Sequence, residues 1–116
     1  MEINQFEIWL ADLNPRMGTE AGKIRPVLVV QTNLLNKLSH PSTIVCPIIS
    51  HVSPKANILR VHLREGDAGL KKNSDVMIDQ VRAIDNNRLT QKLGTLSGSV
   101  INEIKKNLKI VLDIGG

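Results

Sequence analysis

The spacing of apolar and polar positions changes along the chain, and the changes mark out elements. Phe6 to Leu13 alternates in its first half and then turns at Asn14-Pro15, which predicts a half-buried strand. Arg16 to Ile24 is polar and carries Gly18 and Gly22, so it reads as a mobile loop. Pro26 to Val30 is apolar on both faces, as expected of a strand buried in a barrel or sandwich. Leu34 to Leu38 suits a single helical turn. Thr43 to Ile49 is a second apolar strand. Its Pro47 cannot donate to a ladder, which predicts a bulge or a sheet edge there. Asn57 to Leu63 alternates, with Leu59, Val61 and Leu63 on one face. After a polar connection from Glu65 to Asn73, Asp75 to Val81 reads as another strand and Lys92 to Leu96 as a short one.

The period then shifts. From Val100, apolar groups at Ile101, Ile104, Leu108, Val111 and Leu112 follow the 3-4-3 spacing of one helix face, with Lys105, Lys106 and Lys109 on the other. Ser97 or Ser99 is placed to cap its start, and Gly115-Gly116 to end it. Isolated helices shorter than about 12–15 residues are marginal in water, so this face must pack on the strands or on a second subunit. Short strands followed by one terminal helix predict a mainly β fold with α: a small SH3-like β-barrel with a C-terminal helix, one domain over residues 1–116.

Composition narrows the function classes. The 116 residues are 41% hydrophobic and 22% charged, which excludes a disordered chain. The formal net charge is +4, so polyanions are plausible partners. The charge does not segregate: residues 1–58 hold 5 basic and 4 acidic groups, and residues 59–116 hold 10 and 7, so an anion site must come from local clustering. Aromatic content is 2%, with one Trp, one Phe and no Tyr, which argues against a sheet that stacks bases on rows of aromatics. Cys46, the one cysteine, rules out an internal disulfide and reads as a buried thiol. Neither a signal peptide nor a membrane span is expected, so the default location is the cytoplasm.

Two stretches carry candidate chemistry. In Gly22-Lys23-Ile24-Arg25-Pro26, Arg25 lies where a basic loop enters a buried strand, and Pro26 biases it toward extended geometry. A guanidinium presents a planar fork of donors that matches a phosphate, and Arg16 and Lys23 add charge nearby. The plainer alternative is a solvated loop with one Arg paired to Glu20. In Asp79-Gln80-Val81-Arg82, a polar face sits within an expected strand, where Asp and Gln are uncommon. The alternative there is a structural hydrogen-bond network, with Asp79 paired to an Arg. Ser50-His51 is not a nucleophile pair if extended, because neighbours point to opposite faces, although His51 can serve as an acid or base from a loop. His40 and His62 read as surface histidines. There is no metal signature, P-loop or GxSxG.

The order of these segments resembles the MazF/PemK-type toxins. Glu7-Ile8-Trp9-Leu10-Ala11-Asp12-Leu13-Asn14-Pro15, then Gly18-Thr19-Glu20 and Gly22-Lys23-Ile24-Arg25-Pro26-Val27-Leu28-Val29, is similar to the family's opening. Asp79-Gln80-Val81-Arg82-Ala83-Ile84-Asp85 with Arg88-Leu89 resembles its second signature, and Cys46-Pro47-Ile48-Ile49-Ser50 stands at the third. The resemblance implies a dimeric β-barrel toxin of a type II toxin–antitoxin system, cytoplasmic and acting as a sequence-specific endoribonuclease on single-stranded mRNA without a metal or cofactor. It also implies an RNA groove across the dimer interface, into which a cognate antitoxin inserts an acidic, extended segment.

Arg25 matches the family's catalytic arginine, and electrostatic stabilisation of the phosphorane suits its very high pKa. Asp79 matches a carboxylate proposed as base in one branch, but that branch's companion arginine is Met77 here. Arg16, Thr19, Glu20, Lys23, His51, Gln80 and Arg82 are the expected RNA-binding groups. Ile49 departs from the pattern, because many members have a catalytic threonine there. Ser50, or Thr19 in the loop, is the expected substitute hydroxyl. The rival readings are a catalytically impaired homologue and a gyrase-inhibiting toxin, a non-enzymatic binder that shares the barrel.

Overall fold

The computed structural model describes residues 2–115. Seven strands run β1 Glu7–Asp12, β2 Ile24–Val29, β3 Ser42–Ile49, β4 Arg60–Leu63, β5 Ser74–Met77, β6 Arg82–Asp85 and β7 Leu89–Thr95. Two α-helices join them, α1 Asn33–Lys37 and α2 Ser99–Leu112. The sheet order is β4-β5-β3-β2-β1-β7, with β6 also paired to β3, and every pairing is antiparallel. The mainly β fold with a C-terminal helix matches expectation. The barrel, however, does not close by hydrogen bonds, because no ladder joins β4 to β7 among the described residues.

β3 is the pivot of the sheet. Residues 42–45 pair with β6, residues 45–47 with β2 and residues 48–49 with β5. Pro47 is therefore at neither an edge nor a bulge, because the β2 ladder runs in unbroken register from Val29↔Val45 to Val27↔Pro47. It lies between the last β6 pair, Val45↔Arg82, and the first β5 pair, Ile48↔Val76, so the residue without an N–H falls where β3 changes partners.

Side-chain alternation on this pivot feeds two apolar clusters. Ile8, Leu28, Cys46 and Ile48 point to one, which Ile104 of α2 completes. Trp9, Val27, Val29 and Val45 point to the other, with Ile84 and Leu89. Trp9 donates to Glu7 at 3.0 Å, a structural role in keeping with its burial. Cys46 is fully buried, as its apolar run predicts.

Four expectations are corrected. The strand predicted over Asp75–Val81 stops at Met77, and Ile78–Gln80 forms a 3-10 turn. Its polar residues are where the chain leaves the sheet, so Asp79 and Gln80 do not sit in a strand interior. A separate β6 follows. The strand expected from Asn57 begins only at Arg60, and Leu59 is exposed. α2 starts after Gly98, at φ 83° and ψ −160°, without a serine side-chain cap, since glycine adopts that backbone freely. It ends at Asp113, whose left-handed backbone delivers its N–H to Ile110 and Lys109 carbonyls. The expected stop is Gly115-Gly116: Gly115 lies two residues past this cap, and Gly116 lies outside the described residues. On α2, Ile104 is buried as expected, but Leu112 is half exposed and Asn107 takes an interior position.

Candidate active site

The loop between β1 and β2 is held down at several points. Lys23 N–H bonds Asn14 Oδ1 at 2.8 Å, and Leu13 N–H bonds the Lys23 carbonyl at 2.9 Å. Across the fold, Gln80 Oε1 accepts from Ala21 N–H at 2.7 Å, while its Nε2 donates to the Thr19 carbonyl at 2.9 Å. Arg82 pairs with Glu20 at 3.7 Å. Glu20 thus pairs with an arginine, as the plainer reading of the loop has it, but the partner is Arg82 of β6, and Arg25 is left without it.

Arg25 occupies the second position of β2, partly buried, and its Nε donates to the Gly22 carbonyl at 2.6 Å. It has no carboxylate partner among the described residues. Burial, and then the Arg16 cation nearby, push its pKa below the usual arginine value. Both effects oppose the cation, and the negative charge of an arriving phosphate would offset them.

Beside Arg25 lies a cleft of about 550 Å³. Lys23, Ile24, Arg25 and Pro26 form one side, and Ile48, Ile49 and Ser50 form the adjoining strand end. The connection after β4 supplies Gly69, Lys71 and Lys72, and β7 supplies Gln91 and Leu93. Gly94 makes that last wall possible. A Cβ there would lie 2.4 Å from the Ala68 carbonyl oxygen, so the residue must be glycine for the 67–69 turn to rest on β7.

The β2–β3 register pairs Val27 with Pro47. The ladder ends there, and the cleft opens beyond it with Arg25 on the β2 side and Ile49 on the β3 side. Ser50 lies just beyond the end of β3 and is exposed, so strand alternation no longer fixes its direction. A bulge is not needed to bring it to the cleft.

Of the predicted site residues, the cleft therefore gathers Lys23, Arg25 and Ser50. Gln80, Glu20 and Arg82 lie behind it, bracing the loop. Arg16 and Thr19 are exposed on the loop, and His51 is exposed just past Ser50. Asp79 is exposed on the 3-10 turn and does not line the cleft. Lys71, Lys72 and Gln91 were not anticipated. The Lys71-Lys72 doublet in a polar connection was the one available signal.

The family model for the PemK-like, MazF-like toxin of type II toxin-antitoxin systems matches residues 4–112. The chain belongs to this family. It is 34% identical over 112 residues to Endoribonuclease MazF of Staphylococcus saprophyticus, covering 97% of this chain and 92% of that protein. It is 31% identical over 112 residues to Endoribonuclease EndoA of Bacillus subtilis, covering 97% and 96%. Among solved structures, MazF from Deinococcus radiodurans superposes with a TM-score of 0.81 at 23% identity, covering 98% of this chain and 99% of that one. That likeness carries the fold, and the open strand order described above is compatible with it. The whole cleft falls inside the matched range. Among the described residues no helix is long and apolar enough to cross a membrane.

Proposed function

We propose that the chain is the toxin of a type II pair and acts as a metal-independent, sequence-specific endoribonuclease on single-stranded mRNA in the cytoplasm. The observation that carries this reading is Arg25, a partly buried cation with no acidic partner among the described residues, beside a cleft that also holds Lys23, Lys71, Lys72 and Ser50. Such a surface suits a phosphodiester backbone. The two endoribonuclease relatives support the same activity.

In the proposed step the ribose 2′-oxygen attacks the adjacent phosphorus and loses its proton. The O2′–P bond forms, the P–O5′ bond breaks, and the 5′-oxygen leaves with a proton. A 2′,3′-cyclic phosphate and a 5′-hydroxyl result. Arg25 stabilises the extra charge on the phosphorane, and Ser50 supplies a hydroxyl to a phosphate oxygen. Preorganised donors of this kind are each worth about 10²–10³ in rate. Asp79 lies away from the cleft, so we assign it no step. The working unit is a homodimer. Exposed Met17 and Ile24 on and beside the loop are apolar surface that a second copy would cover. The partner is an antitoxin with an acidic, extended segment, which would compete with RNA for the same cations.

Incubation of purified protein with a long RNA in EDTA tests the reading. Cleavage leaving cyclic phosphate ends, lost on Arg25→Ala, is expected. No cleavage at any protein concentration, with wild type and Arg25→Ala equally toxic in cells, would overturn it. One observation favours the impaired homologue as second reading: Ile49, which cannot hydrogen-bond a phosphate, lines the cleft beside Arg25. Very slow but Arg25-dependent cleavage would identify that case.

A further inference from the structure

A second polar cluster lies outside the cleft, on the same row of the sheet. Asp75 is fully buried in β5. Its carboxylate accepts from Ser53 N–H at 2.8 Å, Arg60 Nη1 at 3.2 Å and His62 Nδ1 at 2.5 Å. The ladders pair Ile49 with Asp75 and Asp75 with His62, so the three side chains share one face in adjacent strands. The row Ile49, Asp75, His62 thus runs away from the cleft that Ile49 lines together with Arg25. Two strand spacings separate Ile49 from His62, about 10 Å.

Fold stability does not call for a buried carboxylate here, because an apolar residue at the same place would avoid its desolvation. What the carboxylate does is fix two things. It takes the amide of Ser53, which ties down the loop that leaves the cleft at Ser50. It also takes the Nδ1 proton of His62, which orients the ring and leaves Nε2 on the other side. His62 is 43% exposed at its side chain and lines a shallow hollow with Val52, Arg64, Glu65 and Asn73. Asn73 Oδ1 is occupied by the Glu65 amide at 2.8 Å, which leaves its NH2 group as a donor.

We propose that this hollow is a nucleotide-binding subsite that sets sequence preference a short distance from the cut, with His62 as its base-contacting residue and Asp75 as the positioning residue behind it. The inference rests on the endoribonuclease reading. An imidazole held in one orientation offers a stacking plane, and His serves that role in single-stranded RNA recognition. In a chain with one Trp and one Phe, both on or beside β1, it is the aromatic ring the RNA row provides. The Asn73 amide and the Arg64 guanidinium supply donors for a base edge or its phosphate.

Cleavage of a randomised single-stranded RNA pool, read by sequencing the new ends, tests the subsite. His62→Ala should erase nucleotide preference at one position flanking the cut and raise KM about fivefold to tenfold, with kcat within twofold. His62→Phe, which keeps a stacking plane, should recover most of the KM. Asp75→Asn should shift the same position. Should that variant not fold, the half-exposed His62 variants decide alone. An unchanged cleavage profile and KM in His62→Ala would overturn the proposal. Binding of the same RNA to Arg25→Ala, with and without His62→Ala, separates its failure from failure of the nuclease reading. Affinity lost with His62 in a protein that cuts nothing leaves the subsite standing, whereas equal affinity removes it.

Discussion

Gln80 holds Ala21 across 59 residues of sequence, accepting its N–H at 2.7 Å and donating to the Thr19 carbonyl at 2.9 Å from the same amide. One side chain thus meets two backbone groups of the loop that leads into Arg25. Gln80→Ala removes both bonds. Gln80→Glu keeps the acceptor but sets an oxygen against the Thr19 carbonyl. At about 1 kcal/mol net for each hydrogen bond, Gln80→Ala should lower kcat/KM by up to about thirtyfold and Gln80→Glu by about fivefold or more. Thermal unfolding should shift by only a few degrees, because the loop is exposed. Initial rates on a fluorogenic RNA check this, and a wild-type rate in both variants would remove Gln80 from the site.

Lys71 and Lys72 enter the cleft from the connection before β5. If each neutralises one phosphate, each substitution by Ala should weaken RNA binding and reduce the slope of log K against log salt by about 0.7. A wild-type protein contacting about four phosphates would show a slope near −3. Titrations at several salt concentrations check both numbers, and an unchanged slope in the double variant would place these lysines off the RNA path.

These lysines show where sequence reading stops. The basic loop with Arg25 was legible because glycines, polarity and Pro26 mark it locally. β2 and β3 were legible because continuous apolar runs need burial on both faces. Gln91 carries no local mark and the Lys71-Lys72 doublet only a weak one, since packing of the 67–69 turn against Gly94 sets that connection beside β7. Asp79 misled for a related reason. The apolar run Val76-Met77-Ile78 reads as a strand that carries on to Val81, yet the chain turns after Met77, and the Val81 N–H closes on the Ile78 carbonyl. Asp75 read as an ordinary strand residue, because its partners His62, Arg60 and Ser53 are far away in sequence.

Cys46 is the clearest stability probe. Burial, then the nearby Asp79 charge, push its thiol up to about 12. The thiolate is the reactive form, so native protein at pH 8 should resist iodoacetamide. Labelling should appear only on unfolding, and its rate should track the unfolded fraction. Rapid modification of native protein would contradict the burial of β3.

Glu7 offers a pH test. Burial alone would raise its carboxyl pKa, but bonds from Lys92 Nζ at 2.8 Å, Trp9 Nε1 at 3.0 Å and the Asn4 amide at 2.8 Å outweigh it and lower the value. A lowered folded pKa means that its stabilisation is present above the unfolded carboxylate pKa of about 4.3. That stabilisation is lost as pH falls through the folded value. Glu7→Gln should therefore lower the urea midpoint at pH 7 and flatten its fall between about pH 5 and pH 3. A variant with the same acid dependence as wild type would assign the acid sensitivity to other carboxylates.

Ile49 and Ser50 pose the sharpest question about rate. Ile49 lines the cleft together with Arg25 and offers no hydrogen bond, while Ser50 lines the same cleft from beyond the strand end. If Ser50 supplies the hydroxyl, Ser50→Ala should cost about 10²-fold in kcat with little change in KM, the signature of a donor used in the transition state. Ile49→Thr should then restore most of the loss in the double variant, since threonine at that strand position points its hydroxyl to the Arg25 face. Alone, Ile49→Thr should raise the rate only modestly, because one donor is already in place. The opposite pattern also has a clear meaning. A large gain from Ile49→Thr with no loss from Ser50→Ala would show that the cleft lacks this donor, and that slow turnover follows from the isoleucine.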